Sequence, residues 1–83
     1  MPRVPSLSPR RVERILLAEG FLLLSQKGSH FAFGKGERIV TVPMHARDLA
    51  RGTLLAIIKQ SGIPRARFFQ GARGRRTDTQ PNL

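Results

Sequence analysis

The sequence predicts an α+β fold in which two helices cover one face of a three-stranded antiparallel sheet, in the order helix, strand, strand, strand, helix. Three observations carry this. An apolar stripe of helical spacing lies between Ser8 and Gly20. Three short apolar runs between residues 21 and 43 are separated by glycine-containing turns. A second apolar helical face, Leu54, Leu55, Ile57 and Ile58, ends at Gly62 and Pro64.

Each element has its own local reason. Ser8 can cap the first free amides of a helix and Pro9 fits the first turn, so a helix is predicted over residues 9–19. Val12, Ile15 and Leu16 form its buried stripe, and Gly20 closes it in the left-handed region. Residues 21–26 have the length and character of a buried strand, and Lys27-Gly28 is a tight turn. Residues 29–34 form the second strand, and Gly34-Lys35-Gly36-Glu37 the second turn. "RIVTV", residues 38–42, is the strand with the clearest β-branched content, and Pro43 ends it. A loop over residues 43–52 carries His45, and a second helix starts at Gly52 or Thr53 and stops at Gly62. Residues 65–69 add a short turn that docks Phe68 or Phe69. Three regions result: a flexible arm over residues 1–8 with little to bury, a folded domain over 9–69, and a basic, disordered tail over 70–83.

Composition narrows the function. Eighty-three residues allow one small core. There is no cysteine, and two histidines with five carboxylates argue against a structural metal; no cofactor is expected. The longest apolar stretch, Phe21 to Leu24, is far short of the roughly 20 residues needed to cross a bilayer. The N-terminus lacks the apolar segment of a secretion signal, so no membrane association and a cytoplasmic location are expected. Fifteen Lys and Arg face five Asp and Glu, and eleven of the basic groups against four of the acidic ones lie within residues 9–69. The excess therefore belongs to the domain itself and favours a polyanion, nucleic acid above all.

His30 is the candidate catalytic group. Strand neighbours alternate between faces, so Ser29, Phe31 and Phe33 share one face and His30, Ala32 and Gly34 the other. Packing the phenylalanines under the helices leaves the imidazole on the open face among small neighbours; the opposite register buries a polar ring. Histidine exchanges protons near neutral pH, and Lys27 with nearby arginines can hold a phosphodiester. RNA supplies its own nucleophile, the 2′-hydroxyl, so one base suffices for slow cleavage and DNA is spared. No carboxylate pair sits in a recognisable motif, and "GKGER" lacks the Gly-Lys-Ser/Thr ending of a phosphate-binding loop. Phe31 and Phe33 read as core in a chain with five aromatics, and His45 reads as a structural loop residue with a secondary claim on acid–base work.

Taken together, "AEGFLLLSQKGSHFAF", "IVTVPMH", "LARGTLLAIIKQSGI" and the final phenylalanine resemble the HicA toxins of bacterial and archaeal toxin–antitoxin systems, over roughly residues 9–69. The resemblance implies a double-stranded-RNA-binding-like α-β-β-β-α fold and an endoribonuclease, or mRNA interferase, activity. It makes His30 the catalytic residue of a Gly-Ser-His motif that Gly28 and Ser29 complete. Val42, Pro43 and His45 match the family's Val-Pro-x-His segment, and Gly52, Thr53 and Leu54 open the last helix. The implied partners are an mRNA substrate and a HicB-type antitoxin that blocks cleavage. Two departures are Phe31, where many relatives carry a polar residue or another histidine, and the arginine-rich tail.

The expected chemistry is His30 acting as general base on a ribose 2′-hydroxyl, giving a 2′,3′-cyclic phosphate and a 5′-hydroxyl. Protonation of the leaving oxygen falls to water or to His45. Lys27, Gly28, Ser29, Lys35 and Arg38 are the candidate RNA- and phosphate-binding positions. The competing readings are a non-catalytic RNA-binding module and a small adaptor for an acidic protein.

Overall fold

In the computed structural model, which describes residues 6–45 and 47–69, Ser8 Oγ accepts a hydrogen bond from the backbone N–H of Arg11 at 3.2 Å. That cap, with Pro9 in the first turn, starts helix α1, Pro9–Ala18. Its end is a Schellman motif. Gly20 has φ 98°, its N–H reaches the carbonyl of Leu17, and the N–H of Phe21 reaches that of Leu16 at 2.9 Å. Leu16 and Phe21 are both fully buried, which supplies the hydrophobic contact of that motif. The stop at Gly20 thus also delivers the chain into the sheet.

Strands β1 (Leu22–Lys27), β2 (His30–Lys35) and β3 (Arg38–Pro43) form one antiparallel meander in the order β1-β2-β3. Gly28 and Gly36 sit in the two turns with φ of 58° and 61°, the region that side chains with a Cβ avoid. Helix α2, Arg51–Ser61, follows the loop and ends at Gly62, φ 72°. The element order and the three-stranded sheet are those the sequence predicts. Pro43 is the last residue of β3 rather than the residue after it, which an edge strand allows because one side of its ladder is unpaired.

Both helices pack against β3, and this decides the core. Val12 and Leu16 of α1, Phe33 of β2, Val40 and Val42 of β3, and Leu54 and Ile57 of α2 are buried together. Phe68, in the helical segment 65–69, is fully buried, whereas Phe69 is half-buried, so Phe68 is the docked residue of the two.

Two expectations need correction. β1 is not a buried strand: every residue from Leu22 to Lys27 is exposed, and only Phe21 before it enters the core. The reason is geometric, since the helices lie over β3 and leave the far edge uncovered. The arm before α1 is not without burial either. Leu7 is in the core, and its carbonyl accepts from the N–H of Leu49 at 2.8 Å, tying the entry of α1 to the loop before α2. The rest of the arm, residues 1–5, and the tail over residues 70–83 lie outside the described residues. Among those described, no helix is long and apolar enough to cross a membrane.

Candidate active site

Sheet register places the candidate residues. His30 opens β2, with Lys27 of β1 on one side and Pro43 of β3 on the other. Directly paired residues project from the same face of a sheet, so Lys27, His30 and Pro43 share a face, as do Leu22, Gly34 and Ile39 farther along. Phe33 and Val40 are register partners on the opposite face and are fully buried beneath the helices. His30 therefore stands on the open face, exposed to solvent, on a strand whose other side is locked into the core. That combination fixes the backbone under the imidazole while leaving its ring accessible.

The turn before it is built for this. Gly28 has φ 58° and nothing within 4 Å of where a Cβ would be, so backbone conformation, not crowding, selects glycine. Ser29 is half-buried, and its carbonyl accepts from the N–H of Met44 at 2.6 Å. This bond extends the β2–β3 pairing past Pro43 and turns the following residue toward β2. As a result the His45 ring lies 5.7 Å from the His30 ring, centroid to centroid, in an edge-on arrangement at 61°. The neighbours of His30 are not only small residues; the second imidazole of the chain is one of them. His45 is also exposed, so the pair faces solvent together.

The pairing is legible by counting. Once the second turn pairs Lys35 with Arg38, stepping back along both strands sets His30 opposite Pro43, two residues before His45. Treating the residues after Pro43 as an independent loop conceals this.

The proposed phosphate contacts divide into two groups. Lys27, Gly28 and Ser29 lie beside His30. Lys35 and Arg38 do not. They sit at the other end of β2 and β3, five residues and roughly 16 Å along the strand from His30. They also point to the other face. Lys35 Nζ donates to the carbonyl of Glu19 at 2.7 Å and Arg38 Nη1 to that of Gln60 at 3.2 Å, closing the C-terminal ends of α1 and α2. These two cations line a groove with Phe21, Gly62 and Pro64 that is remote from the imidazoles. Strand alternation already implies the split, because Lys35 shares the parity of Phe31 and Phe33.

The open face has an apolar side as well. Leu22, Leu24 and Ile39 are exposed, and the Leu24 side chain lies over Gly34, where a β-bulge between Leu23 and Ser25 tips it across the sheet. Phe33 is committed to the core; Phe31 is half-buried, packed against it, with the two rings 6.5 Å apart.

A comparison with curated proteins found no match. The model of the HicA toxins of bacterial toxin–antitoxin systems matches residues 9–63, from the first residue of α1 to just beyond α2 and including both histidines. This chain belongs to the HicA toxin family, the toxin component of toxin–antitoxin systems, a membership that implies an antitoxin partner.

Proposed function

We propose that this protein is a metal-independent endoribonuclease, an mRNA interferase, that cleaves RNA with His30 as general base and is neutralised by a HicB-type antitoxin. The observation that carries the reading is the placement of His30: exposed on the open sheet face, on a strand anchored by Phe33, beside Lys27 and His45, in a chain of the HicA family. A ring nitrogen of His30 takes the proton of a ribose 2′-hydroxyl. The 2′-oxygen attacks phosphorus, the bond to the 5′-oxygen breaks, that oxygen takes a proton from water or His45, and the products carry a 2′,3′-cyclic phosphate and a 5′-hydroxyl. Lys27, the register partner of His30, holds the phosphodiester in this scheme and offsets the charge that develops on its oxygens. The net charge of +10 draws the polyanion in. The catalytic unit is residues 9–69, and it acts in the cytoplasm, where mRNA and the antitoxin are found.

The test uses labelled RNA and its DNA equivalent in EDTA, with wild type and His30→Ala both checked for folding by circular dichroism. RNA cleavage by wild type alone, with DNA intact and products ending in a cyclic phosphate, is the expected result. A product with a 5′-phosphate, or equal cleavage by both proteins, overturns the assignment of His30. RNA binding without cleavage by either protein replaces it with a plain binding module. Addition of the antitoxin encoded alongside the toxin is expected to abolish cleavage.

A further inference from the structure

We propose that His45 is a second catalytic residue, the general acid that protonates the leaving 5′-oxygen, so that cleavage runs on a pair of imidazoles; the proposal rests on the ribonuclease reading above. One imidazole leaves the reaction incomplete. In an in-line displacement the attacking 2′-oxygen and the departing 5′-oxygen lie on opposite sides of phosphorus, so the group that removes the first proton is badly placed to supply the second. An alkoxide is a poor leaving group, and a positioned acid at that oxygen contributes roughly 10²- to 10⁴-fold.

The fold puts a second imidazole where that acid is needed. The rings of His30 and His45 are 5.7 Å apart and edge-on, both exposed on the open side of the sheet. A single phosphodiester lying across the pair on the solvent side can contact both. Backbone bonds bring the two residues together: His30 pairs with Pro43, and Met44 N–H is bonded to the Ser29 carbonyl at 2.6 Å. Among the described residues, the other charged groups on these elements are Lys27 on β1, Arg47 and Asp48 in the loop that carries His45, and Lys35 and Arg38 at the far ends of β2 and β3, bonded to the carbonyls of Glu19 and Gln60. Glu13 and Glu19 are engaged with Arg10 and Arg67, and Glu37 lies in the turn at the far end of the sheet.

The step balances. The 2′-hydroxyl proton passes to neutral His30, the 2′-oxygen to phosphorus bond forms, the phosphorus to 5′-oxygen bond breaks, and protonated His45 gives its proton to that oxygen. The enzyme is left with His30 protonated and His45 neutral, and proton exchange with water restores both.

The deciding experiment compares ordinary RNA with an oligonucleotide in which sulfur replaces the scissile 5′-oxygen, because a thiolate departs without a proton. His45→Ala is expected to lose roughly 10²- to 10⁴-fold on ordinary RNA. On the sulfur substrate it should cleave within a few-fold of wild type, while His30→Ala stays inactive on both. His45→Gln repeats the comparison if circular dichroism finds the alanine variant unfolded. An equal loss on both substrates would make His45 a positioning residue and overturn the proposal, and so would full activity of His45→Ala on ordinary RNA; either leaves the ribonuclease reading standing. Failure of wild type to cleave either substrate overturns the ribonuclease reading and the pair with it.

Discussion

Lys35 Nζ donates a hydrogen bond to the carbonyl oxygen of Glu19 at 2.7 Å, so a side chain from the end of β2 closes the C-terminus of α1. The last turn of α1 has no basic residue of its own, and Lys35 supplies the missing positive charge from the sheet. Arg38 likewise donates to the carbonyl of Gln60 at the end of α2, whose last turn also carries Lys59. The two strand ends that meet in the second turn thus each hold one helix in place.

Lys35→Gln is therefore expected to act on stability and not on RNA cleavage. A cation at a helix C-terminus contributes about 0.3–1 kcal/mol when exposed. Thermal unfolding should show a Tm lower by a few degrees, and RNA cleavage per folded molecule should be unchanged. A loss of RNA affinity with an unaltered Tm would return Lys35 to the phosphate-binding set.

Lys27→Ala should behave in the opposite way. Lys27 is exposed on β1 as the register partner of His30, with no part in the core. Its removal should leave the Tm within about a degree of wild type, as surface substitutions usually do. If it contacts one phosphate, the slope of log affinity against log salt should become shallower by about 0.7 for single-stranded RNA. A titration at several salt concentrations, made on the His30→Ala background to prevent cleavage, reads this directly. An unchanged slope removes Lys27 from the site.

The two phenylalanines of β2 should separate just as clearly. Phe33 is fully buried between the helices and the sheet, and truncating such a side chain costs about 3–5 kcal/mol. That is a large part of what holds a domain of this size together, so Phe33→Ala should be largely unfolded or melt far below wild type. Phe31 is only half-buried, and Phe31→Ala should remain folded with a smaller loss. Denaturant titration of both variants checks the order. If Phe31→Ala keeps its stability but loses RNA affinity, Phe31 stacks on a base.

Much of the fold is legible in the amino-acid sequence. Ser8 and Pro9 announce α1, Gly20 its end, Gly28 and Gly36 the turns, and Gly62 the end of α2. Strand alternation alone puts His30 opposite the phenylalanines and so on the open face. The same alternation, carried one step farther, separates Lys35 from His30. These features are local: caps, turns and the side-to-side parity of a strand depend on residues close together in the chain.

The order of elements, the exposure of His30 and the motifs that mark the HicA family thus follow from the amino-acid sequence alone. Tertiary packing sets the rest. Only the seating of both helices over β3 leaves β1 exposed from Leu22 to Lys27, and only the contact with Leu49 draws Leu7 into the core. The approach of His45 to His30 depends on strand register together with the bond from Met44 to Ser29, which joins residues far apart in the chain. Local preference fixes which way a side chain points along its own element. Which other side chain it meets is set by long-range burial and pairing, where each element's position is a compromise with all the others.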